Sequence, residues 1–322
     1  MTAVARVRTP RSSASATALV ALAACCFGSI AILVTLATRT GAPLLSVLSW
    51  RFLLGAAALT MLAGGFGALR AARGRYVRLV VLGGGGQAAI AFTSLYALRF
   101  IPVATLVFLF YTYPAWIALF AVVRGDEKVG AIKVVAIALS LGGIALMVGA
   151  PSAVSLHPAG VLLALGSALM YGVYVPFIAR LGGNAPSRVV AALVALGGGA
   201  SFIVVGAVAA ALPGALRPEL VLTLALTPAA WASVATLAIV STALAFVAFL
   251  SGLAVLGPVR TAIVSTIEPF WASLLGALVL RQPLGAPTLA GGAAIAAAVL
   301  LLQLPQRERA PARANSIDES AS

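Results

Sequence analysis

Ten stretches of about 20 mainly apolar residues follow one another along this chain, separated by short turns. They run about 16–37, 44–66, 78–98, 101–123, 131–150, 159–179, 189–212, 230–252, 257–280 and 285–304. Each is long enough to cross a hydrocarbon core of roughly 30 Å as a helix. With 62% hydrophobic and 9% charged residues and a mean hydropathy of +1.12, the chain is unlike any water-soluble domain of its length. Breaks such as Thr40–Gly41–Ala42–Pro43 and Gly182–Gly183–Asn184–Ala185–Pro186 are built from turn formers. The longest break, Pro213–Pro228, holds the apolar run Leu220–Leu226, too short to span and expected to lie along the membrane interface.

The chain also repeats itself. Pro114 and Pro269 lie 155 residues apart, and that offset sets Trp116 on Trp271, Gly130 on Gly285 and Ala131 on Ala286. The strip Val103–Val148 thus returns from Pro258 onward, and each strip follows three other apolar segments. A unit of five spans is odd, so the second copy enters the bilayer upside down. The expected fold is an all-α integral membrane protein of ten transmembrane helices, arranged as two inverted five-helix repeats over 16–150 and 151–304. The tails, 1–15 and 305–322, are polar and expected to be disordered. Inverted duplication marks secondary transporters, which place their site between the repeats.

Charge supports that count. With the N-terminus in the cytoplasm, 16 basic residues fall inside, from Arg6 to Arg313, and four outside: Arg39, Arg99, Arg217 and Arg281. Miscounting by one span would scramble the bias, so both termini are expected in the cytoplasm of an inner or plasma membrane. The net charge of +14 therefore orients the chain in lipid, and nucleic acid is excluded as a partner. The only cysteines, Cys25 and Cys26, point about 100° apart on one helix and read as packing residues, not metal ligands.

The motifs Phe27–Gly28–Ser29, Trp50–Arg51–Phe52–Leu53–Leu54 and Tyr113–Pro114 stand in the first repeat. Tyr171–Gly172, Glu268–Pro269–Phe270 and Gly291–Gly292 answer in the second. Their order and duplication resemble the EamA type of the drug/metabolite transporter superfamily over roughly residues 16–304. The resemblance implies movement of small metabolites or drug-like solutes without ATP hydrolysis, and export as the direction. Where the family often carries Gly–Glu after the ninth helix, this chain has Arg281–Gln282. The first helix also lacks the membrane-embedded Glu of the four-helix multidrug relatives.

Two formal charges fall well inside spans, Arg51 and Glu268. Each costs about 2.5–3.5 kcal/mol at a helix centre unless partnered, hydrated or neutralised. Glu268 lies near midplane, and burial favours its neutral form, so it is a candidate proton carrier or amine site; the alternative is a structural carboxyl bonded across helices. Arg51 either snorkels, pairs with Glu268 or holds a substrate carboxylate. Pro114 and Pro269 each remove a backbone donor and are candidate gating breaks. Gln87, after Gly83–Gly84–Gly85–Gly86, its repeat partner Thr242, and Tyr111, Tyr113, Tyr171 and Tyr174 complete the expected lining. For Trp116 and Trp271, lining and packing stand level. His157 is expected as a solvated loop residue. One Glu and one Arg are too few for an intramembrane enzyme, and no cofactor, metal or nucleotide motif is present. The expected partners are a small-molecule substrate and the bilayer, with the protein a monomer or homodimer.

Overall fold

The computed structural model describes residues 12–97, 100–101, 103–125, 129–148, 157–211, 220–281 and 285–302. Residues 1–11 and 303–322 of the two tails lie outside them, whereas the first helix already begins at Ser13, inside the expected N-terminal tail. Regular structure among the described residues is helical throughout. In lipid no water satisfies an exposed peptide group, and a helix bonds its own backbone.

The first half contains α1 (Ser13–Gly28), α2 (Ile30–Arg39), α3 (Leu44–Ala63), α4 (Tyr76–Arg78), α5 (Gly85–Ala97), α6 (Val103–Phe110), α7 (Tyr113–Val123) and α8 (Ala131–Val148). The second contains α9 (Pro158–Gly182), α10 (Ser187–Ala211), α11 (Pro228–Ala238), α12 (Ala245–Ser265), α13 (Ile267–Leu280) and α14 (Ala286–Leu301). Among the described residues, six helical runs are long and apolar enough to cross a membrane, and four shorter apolar helices accompany them. The expected fourth and ninth segments are each cut in two. A turn at Tyr111–Thr112 divides α6 from α7, and one at Thr266 divides α12 from α13. Conversely Pro228–Ser265 runs on as one stretch of 38 residues, although Gly257 inside it has left-handed φ of 75°.

Both third segments widen into π-helix, at Leu79–Gly84 and Ile239–Leu244. A π turn loosens the ladder of backbone bonds and turns carbonyls outward. Glycine exploits each. A Cβ on Gly197 of α10 would strike the Val80 carbonyl, and one on Gly55 of α3 would meet Thr242 at 2.7 Å. Small residues let these helices touch backbone to backbone, the usual basis of packing in lipid.

The remaining pairings follow one pattern. α3 packs on α10, and α8 packs on α14 with Gly143 against the Gly291 carbonyl. α1 reaches α12 and α13 of the second half, while α9 reaches α5 and α7 of the first. The run after Leu220 does not form a helix. It is drawn onto α3, where Ser46 Oγ donates to the Val221 carbonyl and accepts from Thr223 N, and Trp50 Nε1 donates to the Thr223 carbonyl.

Gly197→Leu is expected to destabilise the fold by about 1–3 kcal/mol or more, because the overpacked site is backbone and cannot yield. Gly142→Leu, with open space around it, is expected to be silent. Thermal unfolding of both variants in detergent checks the contrast.

Candidate functional site

The turns at Tyr111–Thr112 and Thr266 lie at the bundle's centre, and local chemistry makes them. Pro114 and Pro269 have no amide hydrogen to bond the carbonyl four residues back. Thr112 and Thr266 fold their hydroxyls onto the carbonyls of Leu109 and Ile263, at 2.7 and 2.6 Å, closing each helix end. Glu268 then falls in the first turn of α13, where the helix dipole favours a negative group.

Beside these turns lies a cavity of about 390 Å³. Glu268, Pro269, Arg51, Gln87, Tyr111, Tyr113, Tyr171 and Tyr174 all line it. Its wall continues through Ile30 and Val34 of α2, Leu44 and Leu48 of α3, Ile90 and Ser94 of α5, and Leu106 of α6. These residues belong to the end of the bundle where α2 finishes and α3 begins, so the cavity extends from Glu268 toward that end. Ser140, Thr261 and Thr266 are fully buried and do not line it.

The rings form a wall around the carboxyl. Tyr113 meets Tyr171 edge to face at 4.8 Å, Tyr111 lies 5.7 Å from Tyr113, and Phe110 stands 5.6 Å from both Tyr111 and Tyr171. Tyr111 is the hydrogen-bond partner of the Glu268 carboxyl.

Arg51 does not snorkel. It is 6% exposed, its Nε donates to Thr242 Oγ1 at 2.9 Å, and NH2 donates to the Ser241 carbonyl at 3.3 Å. Both acceptors belong to the second π-helix, whose loosened turn offers the carbonyl. The guanidinium carbon stands 5.0 Å from the Phe52 ring centroid, a cation–π contact. The recorded bonds of Arg51 thus go to neutral groups, while its side chain still borders the cavity.

Four expected site residues stand elsewhere. Thr242 is fully buried behind Arg51 and holds it. Pro114 is buried behind Tyr113. Trp271 covers Gly28 and donates from Nε1 to Ser29 Oγ at 3.4 Å. Trp116 covers Gly172, and its buried Nε1 has no partner among the described residues. The Trp271 indole and the Cβ of Trp116 each meet a glycine of a neighbouring helix, and neither residue lines the cavity. Outside the site, exposed His157 stacks on Phe100 at 5.1 Å. Sequence reasoning missed Phe27, Phe246 and Phe249 in the wall, because a phenylalanine in an apolar run carries no mark of its facing.

A multi-pass helical bundle built from two related halves, with a largely apolar cavity at their breaks that holds a few polar groups, is the architecture of a membrane transporter. The EamA-like transporter family model matches residues 14–149 and again 158–304, so the chain belongs to that family. No curated protein matches it. A solved structure described only as "Crystal structure of protein" has the same fold, with TM-score 0.72, 21% identity, and 91% of this chain and 98% of that chain covered.

Thr242→Val keeps shape but strands the Arg51 Nε in an apolar interior, at an expected cost of about 1–3 kcal/mol. Removing both partners, in Arg51→Met with Thr242→Val, is expected to recover most of it. Thermal unfolding of the two single variants and the double variant checks this coupling.

Proposed function

We propose that this protein is a secondary transporter with ten transmembrane segments in two inverted halves, working by alternating access and coupled to protons through Glu268. Both termini lie in the cytoplasm of the cell membrane, by the distribution of Arg and Lys. On that orientation the cavity faces outward. Its substrates are amino acids or related amphipathic solutes, and the family resemblance favours export.

One observation carries the reading: a carboxyl and a guanidinium border the same aromatic-walled cavity, Glu268 from α13 and Arg51 from α3. An amine can approach the first and a carboxylate the second, while Phe27, Phe246 and Phe249 receive an apolar body. Alternating exposure is natural for a site built on two helix breaks, because broken helices bend where they lack bonds.

A second reading is efflux of lipophilic cations. The hold of Thr242 and Ser241 on Arg51 favours it, leaving Glu268 and the tyrosine rings to receive a positive charge.

Proteoliposomes tested with phenylalanine, leucine and tetraphenylphosphonium, with and without a pH gradient, separate the two. Faster movement of the amino acids than in empty liposomes supports the first reading, and of tetraphenylphosphonium alone the second. If nothing moves faster, both fall. Glu268→Gln is expected to lower pH-driven accumulation about tenfold or more while exchange persists. Unchanged accumulation removes Glu268 from the coupling.

A further inference from the structure

We propose that a buried ladder of hydroxyls on α12, α8 and the turn between α12 and α13 carries protons between Glu268 and the bundle end opposite the cavity. It rests on the reading that Glu268 exchanges protons with its surroundings.

Ser265 and Thr261 stand three and seven residues before Glu268, a spacing that keeps one helical face. The turn between them and Glu268 keeps right-handed backbone, with Thr266 at φ −65° and ψ −6°, so the stripe runs through it. Tyr113 faces Ser265, and Thr266 Oγ1 bonds Ser140 Oγ of α8 at 3.3 Å. Seven residues before Ser140, about 10 Å along the same face of α8, buried Lys133 leads to that helix's end. Ser140, Thr261, Ser265 and Thr266 are buried, and none of the four lines the cavity.

Local back-bonding explains some of this, since Ser265 Oγ donates to the Thr261 carbonyl at 2.9 Å. It does not explain Thr261. The carbonyl four residues before Thr261 belongs to Gly257, whose φ of 75° and ψ of 170° turn it out of the helix. The Thr261 hydroxyl is fully buried and has no partner among the described residues. A stranded hydroxyl costs about 1–3 kcal/mol, and one water there would satisfy it and continue the ladder.

At the 155-residue offset, Thr261, Ser265 and Ser140 correspond to Leu106, Phe110 and Ile295, and Glu268 to Tyr113. Leu106 and Phe110 border the cavity, whereas Thr261 and Ser265 are buried away from it.

In each step a hydroxyl accepts one proton and passes its own onward, so none is gained or lost along the row. The charged and titratable groups facing Glu268 are Arg51 from α3, Tyr111 and Tyr113 around the α6–α7 turn, and Tyr171 from α9. Of the other helices packed on α13, α1 adds the thiols Cys25 and Cys26, α2 only Arg39 at its far end, and α14 no charge.

The test uses full-length protein in proteoliposomes with tritiated phenylalanine as probe, comparing exchange at equal pH with accumulation driven by a pH gradient. Thr261→Val and Ser140→Ala are expected to keep exchange but to lose accumulation about tenfold or more, and Thr261→Ser to restore it. Retained exchange shows that a variant has folded. If both variants accumulate like the wild type while Glu268→Gln does not, the ladder is overturned and Glu268 stands. A wild type that exchanges the probe yet never accumulates it removes proton coupling, and the ladder with it.

Discussion

A carboxyl at the centre of an apolar bundle needs donors, and this structure is arranged around supplying them. Glu268 takes the first turn of α13, where free amide hydrogens and the helix dipole favour it, with Tyr111 as its hydrogen-bond partner. That turn exists because α12 ends at Thr266, and the break survives in lipid because it borders a protein-lined cavity. Cavity, break and carboxyl are thus one feature. An unbroken helix would leave no first turn at this depth.

The same economy governs Arg51. A guanidinium buried among phenylalanines would be costly alone, and the π-helix at Ile239–Leu244 gives it the Ser241 carbonyl that a regular helix would have used internally. Gly55, one turn along α3, lets that carbonyl come near enough. A distortion in one helix and a glycine in another therefore hold one charge. Opening the π turn and releasing Arg51 are mechanically linked.

Much of this was legible in the chain. The apolar runs and the Pro114–Pro269 register predicted a helical membrane protein of two related halves, which the family match bears out in its coarse form. Length alone hid the finer count, since α6, α7 and α13 are too short to span singly once their segments break. The partner of Arg51 was not legible, because π turns leave no pattern in an apolar run; Gly83–Gly86 beside the first one was the nearest sign. For Trp116 and Trp271 the residues alone left lining and packing level, and the structure sets both outside the cavity lining. The glycine that each meets, Gly172 or Gly28, comes opposite it only in the fold.

The two halves share a frame but not its chemistry, and the differences converge. Where the second half has Glu268 the first has Tyr113, and where the first has Arg51 the second has Gly206. Gln87 borders the cavity freely while its counterpart Thr242 is consumed in holding Arg51. Trp271 finds Ser29, whereas the Trp116 Nε1 has no partner among the described residues. Unequal side chains on related backbones thus set one carboxyl, Glu268 of the second half, and one guanidinium, Arg51 of the first, on the same cavity.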